Sequence, residues 1–392
     1  MKNNVVRFVP IILYGIVFSC TNTATQTGQQ ANQTVVDTSQ TFWALLPFVK
    51  ADTANPILTP GPGTFYCPLK KTTVSWEEKD VFNPAVAVRN DSLFLLYRAQ
   101  DKVGKPAGTS RIGLAISTDG IHFTRMPQPV LYPANDAFKK YEWEGGCEDP
   151  RLVQDSAGTY FMTYTAFDGK NARLLVASSP DLVHWVKHGP VFAKAFGGKY
   201  LNAWSKSGSI VSTYANGKIT ATKLNGQYWM YWGDKYIWAA TSDDLINWQP
   251  VEKDTTDTTK TDIPFYGADI YLLKPVLKPR SGKFDSDLVE SGPPAMLTPA
   301  GIVLLYNGRN ITAIGDKQLG EGAYASGQVL LDKANPLKVI NRLENNFLKP
   351  DKPYEFTGQV NQVCFIEALA QFKSKWWLYY GTADSKIAVA TK

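Results

Sequence analysis

A chain of 392 residues with 41 basic and 35 acidic side chains carries a net charge of +6, and 44% of its residues are hydrophobic. Its charges are dispersed rather than gathered into a basic stripe, which argues against a nucleic-acid partner. Three histidines and four cysteines at wide spacing build neither a His-based metal centre nor a disulfide framework, so no metal or other cofactor is expected and acid–base chemistry falls to carboxylates.

The chain opens with Lys2 and Arg7, an apolar run from Phe8 to Phe18, then Ser19 and Cys20. Val17-Phe18-Ser19-Cys20 is an acceptable lipobox, and the apolar run falls short of the roughly 20 residues a membrane-spanning helix needs. The expectation is a signal peptide over 1–19, cleavage before Cys20 and lipidation of that cysteine. The chain would then be exported and lipid-anchored in the bacterial cell envelope, with the outer membrane as its expected address. Loss of Lys2 and Arg7 lowers the charge to +4. Residues 20–41 are rich in Thr, Gln, Asn and Ser and read as a disordered tether. From Phe42 to Lys392 the chain is evenly apolar and aromatic, the pattern of one large all-β domain. Cys67, Cys147 and Cys364, an odd set, read as buried small hydrophobes.

Within that domain a short alternating strand ends in tyrosine five times, at Tyr97, Tyr164, Tyr231, Tyr306 and Tyr380, in steps of 67, 67, 75 and 74 residues. A second strand follows each, at Ile112–Ile116, Leu174–Ser178, Ile237–Thr241, Ala325–Val329 and Ile387–Thr391. The first three run on into turn-plus-aromatic signatures that end in Phe123, Trp185 and Trp248. Five such units describe an all-β five-bladed β-propeller. The three aromatics are expected to pack between blades, whereas tyrosines at strand ends are placed to stack on sugar. Residues 252–266 read as an inserted surface loop.

A propeller gathers the ends of its innermost strands around one axis, so polar residues beside the Tyr-ended strands converge. These are Asn83-Pro84-Ala85, Tyr97-Arg98-Ala99, Glu148-Asp149-Pro150-Arg151, Gly233-Asp234, Glu290 with Gly292-Pro293-Pro294, Tyr306-Asn307-Gly308 and Asp384. Carboxylates from different blades suit glycosidic cleavage, where an acid protonates the leaving oxygen and a base activates water.

At these segments, over roughly Asn83 to Lys392, the sequence resembles glycoside hydrolase family 130, five-bladed propellers that include mannoside phosphorylases and β-mannoside hydrolases. The resemblance implies that Asp149 is the general acid, passing its proton through a hydroxyl of the bound mannose. It also implies that Asn83, Arg98 and Asp384 hold that mannose. Arg151, Lys206 and Asn307 complete the expected substrate-binding set. The phosphate-using members carry a His-Arg pair and a Tyr-His-Gly turn where this chain has Trp232-Gly233-Asp234 and Tyr306-Asn307-Gly308; Lys206 retains one cation. An aspartate within about 4 Å of a phosphate charge costs on the order of 4 kcal/mol per unit charge at an effective dielectric near 20. Glu290, with Asp234, supplies the carboxylates to activate water instead. The expectation is an inverting exo-β-mannosidase acting on β-1,2-linked or related manno-oligosaccharides, with Asp149 as acid, Glu290 as favoured base and Asp234 assisting. Two alternatives stand beside it: a phosphate-dependent β-mannoside phosphorylase, and a glycan-binding lipoprotein without turnover.

Overall fold

The apolar alternation ending at each of the five tyrosines forms a strand in every case. The computed structural model describes residues 41–102, 108–254, 256 and 272–392. Cys20 and nearly all of the proposed tether lie outside them, as does most of the 252–266 insertion. Residues Gln40–Lys392 form one unit.

The strands fall into five antiparallel groups. A short strand β1 (Val49–Lys50) and a hairpin of β2 (Thr64–Cys67) and β3 (Thr72–Ser75) precede the first group, β4 (Asp80–Arg89), β5 (Ser92–Gln100), β6 (Ser110–Ser117) and β7 (Thr124–Arg125). After the single-turn helix α1 (Lys139–Glu142) the second group follows as β8 (Gly146–Gln154), β9 (Tyr160–Phe167), β10 (Ala172–Ser179) and β11 (Val186–Pro190). The third starts with β12 (Ser209–Ile210), leaves it for a hairpin of β13 (Ser212–Ala215) and β14 (Lys218–Ala221), and resumes as β15 (Tyr228–Trp232), β16 (Trp238–Ser242) and β17 (Gln249–Pro250). In the fourth, β18 (Leu288–Ser291) and β19 (Met296–Thr298) share the partner β20 (Gly301–Arg309), which continues into β21 (Tyr324–Leu331) and β22 (Val339–Arg342). The fifth follows helix α2 (Pro353–Phe356) as β23 (Cys364–Phe372), β24 (Lys375–Thr382) and β25 (Lys386–Thr391), and β1 from the start of the domain completes it by pairing with β25.

Strands buried on both faces must find apolar cover on both sides. They do so in five cores, each lying between consecutive groups. Leu96, Ile112, Met162 and Leu175 join the first to the second, and Leu174, Val176, Met230 and Trp238 the second to the third. Tyr231, Ile237, Leu304 and Val329 join the third to the fourth; Val303, Leu330, Ile366 and Leu378 the fourth to the fifth. Val86, Leu95, Tyr379 and Val389 then join the fifth back to the first. Cys67, Cys147 and Cys364 are buried and unpaired with one another, as small hydrophobes would be.

The repeated tyrosines are not exposed for stacking on sugar, contrary to the sequence expectation. All five are fully buried, and four donate their hydroxyl to a buried carboxylate that a cation also holds. The sets are Tyr97–Glu77–Arg125, Tyr164–Glu142–Lys187, Tyr306–Asp285–Arg280 and Tyr380–Glu355–Lys50, with hydroxyl-to-carboxylate distances of 2.9, 2.8, 2.7 and 2.9 Å. Tyr231 departs, donating to the Pro336 carbonyl at 2.8 Å. A hydroxyl at the end of an apolar strand needs a partner once buried, and a charged acceptor rewards it by about 1.5–3 kcal/mol. The three turn signatures repeat in detail. Asp119, Asp181 and Asp244 each accept two backbone N–H groups and pair with His122, His184 or Asn247 three residues on. His122 and His184 therefore serve turns, and His188, in β11, meets the Ser178 hydroxyl at 2.7 Å. Trp248 is buried in the core between the second and third groups, and Phe123 meets Tyr379 edge-on, both as packing residues between groups. No helix among the described residues is long and apolar enough to cross a membrane.

Candidate active site

Three of the groups begin on a strand whose ladder slips at one point. The register shifts between Phe82 and Pro84 in β4, between Glu148 and Arg151 in β8, and between Ile366 and Ala368 in β23. A bulge re-aims the side chain at the slip, and the residues there are Asn83, Asp149 and Glu367. Asn83 and Asp149 both have φ of +48°, the left-handed region that Asn and Asp tolerate better than other side chains. Each is followed by a proline, which has no N–H to leave unpaired at the interrupted ladder. Such backbone costs about 1–3 kcal/mol and clusters at functional sites. A Cβ on Gly381 would stand 2.4 Å from Asn83 Oδ1, so the Gly after Tyr380 is what lets Asn83 take its place.

The bulged residues meet. Asp149 Oδ1 accepts from Asn83 Nδ2 at 2.9 Å and from Arg98 Nη1 at 3.0 Å. The other arm of Arg98 reaches Glu148 Oε1 at 2.8 Å, where Ser110 also donates. From the opposite side comes a short irregular segment, Trp204 to Ser207, that touches all three expected catalytic carboxylates. Trp204 Nε1 donates to Asp234 Oδ2 at 2.9 Å. Lys206 Nζ lies 3.7 Å from Asp149 Oδ2 and 3.9 Å from Glu290 Oε1. The Ser207 hydroxyl donates to Glu290 Oε1, and Ser207 holds a φ of +58° to do so. The segment is anchored by Ser205, whose hydroxyl accepts from the Leu174 N–H at 3.0 Å, and by the Gly233 N–H, which donates to the Lys206 carbonyl at 2.9 Å. Gly233, at φ +115°, makes the turn that presents Asp234.

Beside this cluster opens a cavity of about 270 Å³, lined among others by Arg98, Glu148, Phe167, Trp204, Lys206 and Asp384. Two expected substrate ligands are committed elsewhere. Asn307 donates to the Ile366 carbonyl at 3.0 Å and accepts from its N–H at 2.8 Å, so both ends of its amide tie β20 to β23. Arg151 is buried and donates to the carbonyls of Gly292 at 2.9 Å and Ser291 at 2.7 Å, with Glu367 2.9 Å from Nη1. It binds the Asp149 strand to the Glu290 strand, and neither residue reaches a ligand without breaking these bonds.

The electrostatics sort the carboxylates. Burial opposes the charge of Asp149, but Arg98 and then Lys206 outweigh it and, with the Asn83 amide, hold the group well below the usual range. Burial pushes Glu290 up, Lys206 offsets part of that, and the Asp234 charge adds to it. Glu148 is raised by burial against the pull of Arg98. Asp384 is raised to about 7, by burial first, with Arg98 opposing and Asp149 adding. Lys206 is driven up despite burial by Glu290, Asp149 and Asp234. Glu367 is raised far above its ordinary value by burial, with Arg151 pulling the other way. Six carboxylates thus surround three cations, Arg98, Arg151 and Lys206. Fully ionised, the cluster carries three uncompensated negative charges.

Asp149, Asn83, Arg98, Lys206, Glu290, Asp234 and Asp384, drawn from all five groups, are brought together. Sequence reasoning missed Glu148, Trp204, Ser207 and Glu367. Glu148 stood beside Asp149 in the same motif; Trp204 and Ser207 sit in a segment outside the repeat, which carries no periodic signal.

A family profile described as beta-1,4-mannooligosaccharide phosphorylase matches residues 66–392. A 1,2-beta-oligomannan phosphorylase of Thermoanaerobacter sp. (strain X514) is 32% identical, covering 82% of this chain and 93% of its own. A solved glycosyl hydrolase from Bacteroides ovatus is 47% identical, covering 89% of this chain and 94% of its own, with a TM-score of 0.83. Another solved structure, reported among GH130 glycoside hydrolases that target β-1,2 mannosidic linkages in Candida mannan, is 46% identical over the same shares, with a TM-score of 0.83.

Proposed function

This chain belongs to glycoside hydrolase family 130 and is an enzyme acting on β-mannosides, and within that class we propose that it is an inverting exo-β-mannosidase that transfers the mannosyl group to water, with β-1,2-linked manno-oligosaccharides as its substrates. The observation that carries the proposal is the position of Lys206. Its ammonium is already shared between Asp149 and Glu290, at 3.7 and 3.9 Å. A phosphate in contact with Lys206 would have to displace Glu290 or lie against it, and at about 4 Å each pair of unit charges costs roughly 4 kcal/mol at an effective dielectric of 20. On this reading Glu290 takes the place a phosphate would need beside Lys206.

In the proposed reaction, mannose is held by Asn83, Arg98 and Asp384. Water attacks its anomeric carbon as the glycosidic C–O bond breaks. The proton lost by water goes to Glu290, whose raised affinity for protons suits a base, with Asp234 assisting. The leaving oxygen takes its proton from Asp149 through a mannose hydroxyl. The free protein holds Asp149 ionised, so this residue gains its proton as the sugar enters between it and its cations. The architecture fits a five-bladed propeller with β1 closing the fifth blade, supported by the five groups and by cores that run from each to the next and back to the first. Residues 42–392 are proposed as its catalytic domain, carried on a lipidated Cys20 and a tether in the cell envelope; labelled palmitate that persists in a Cys20→Ala protein would contradict the anchor.

The reaction class is tested by the rate of mannose release from β-1,2-mannobiose across a range of phosphate concentrations. A rate independent of phosphate is expected. A rate that vanishes without phosphate would make the enzyme a phosphorylase, the activity named for its Thermoanaerobacter relative.

A further inference from the structure

We infer that Trp204 positions Asp234 and that, with Phe167, it forms the aromatic wall against which a pyranose ring seats in the pocket.

Three observations converge on this residue. The first is the hydrogen bond from its indole N–H to Asp234 Oδ2 at 2.9 Å. An aspartate on a glycine turn would otherwise swing about two torsions; one oxygen is now fixed. The second is what remains of that carboxylate: Oδ1 is buried and has no hydrogen-bond partner among the described residues. A buried acceptor without a donor is costly to leave empty, so it marks where an outside donor fits, and a water molecule or sugar hydroxyl provides one. The third is the wall itself. Phe82, Phe167 and Trp204 are the aromatics lining the cavity. Phe82 is only 1% exposed, and the Arg98 guanidinium covers its ring at 4.6 Å. Phe167 and Trp204 are half-buried and meet edge-to-face, with centroids 6.4 Å apart. Gly145 makes room for Phe167, since a Cβ there would stand 2.3 Å from its ring. A pyranose presents an apolar C–H face and a polar rim. The wall suits the face, and Arg98, Glu148 and Asp384 suit the rim.

The positioning half rests on the hydrolytic role of Asp234; the wall does not. Two substitutions separate them. Trp204→Phe keeps a ring and removes the N–H, while Trp204→Ala removes both. In the active enzyme, Trp204→Phe should lower kcat roughly ten- to hundredfold with KM nearly unchanged. An unchanged kcat in Trp204→Phe, or a loss seen in KM alone, would overturn the positioning role. Ligand binding is read by calorimetry with β-1,2-mannobiose in an Asp149→Asn background, where turnover does not interfere and the identity of the acceptor is irrelevant. There Trp204→Ala should weaken binding about tenfold and Trp204→Phe by less than about threefold. Equal affinity in the Trp204→Ala protein would overturn the wall. If the wild-type enzyme releases mannose 1-phosphate, the hydrolytic reading fails by itself and the binding result still decides the wall.

Discussion

Replacing Asp384 with Asn should make the protein more stable at neutral pH and at the same time weaken its hold on mannose. Burial, with the charge of Asp149 adding and Arg98 opposing, lifts this carboxyl from 3.8 to about 7. A shift of about 3 units corresponds to roughly 4 kcal/mol at 1.36 kcal/mol per unit. Asp384 is half-buried, and solvent screening reduces this to about 2 kcal/mol. The folded state binds the proton more tightly than the unfolded chain. Its contribution to stability is therefore complete below about pH 4 and is lost as the pH rises through about 7. Asparagine has no proton to lose. Urea unfolding of both proteins at pH 5 and pH 8 should show the variant's advantage growing by about 1–2 kcal/mol between the two, at equal denaturant slope. A constant difference across that range would refute the assigned environment of Asp384.

Glu290→Gln should reduce kcat by about 10²- to 10⁴-fold, in steady-state assays, with no recovery on adding phosphate. Lys187→Met strands the buried Glu142, which Lys187 now holds at 2.6 Å, and should cost about 3–5 kcal/mol at pH 8, less as the pH falls and the raised Glu142 takes up its proton. Tyr164→Phe should cost about 2 kcal/mol and Tyr231→Phe about 1 kcal/mol in equilibrium unfolding, because Tyr164 serves a buried carboxylate and Tyr231 a backbone carbonyl. Equal losses would remove the distinction between them.

The five-fold repeat was legible because strand alternation, terminal tyrosines and Ser-x-Asp turns recur at near-constant steps, and each obeys a local rule. Asn83 and Asp149 were legible because they stand in polar motifs beside the Tyr-ended strands, at segments where the sequence resembles family 130. The purpose of the tyrosines was not. Their carboxylate partners, Glu77, Glu142, Asp285 and Glu355, stand 20, 22, 21 and 25 residues before the tyrosines, in segments ahead of each group's first strand where no strand alternation marks them. Asn307 looked like a ligand because it stands where a phosphate-binding histidine would, yet its amide completes the backbone of the next group at Ile366. Glu367 gave no signal in a run of small and apolar residues; only the slipped register of β23 turns it toward Arg151.

The central claim is that Glu290 has replaced phosphate at Lys206. Time-resolved NMR of β-1,2-mannobiose turnover in excess phosphate tests it most directly, reading the proton and phosphorus signals of one reaction. The expected result is the attacked mannose appearing first as its α anomer, on top of the anomeric mixture of the leaving mannose, with no mannose 1-phosphate. The appearance of mannose 1-phosphate at the rate of substrate loss would contradict it.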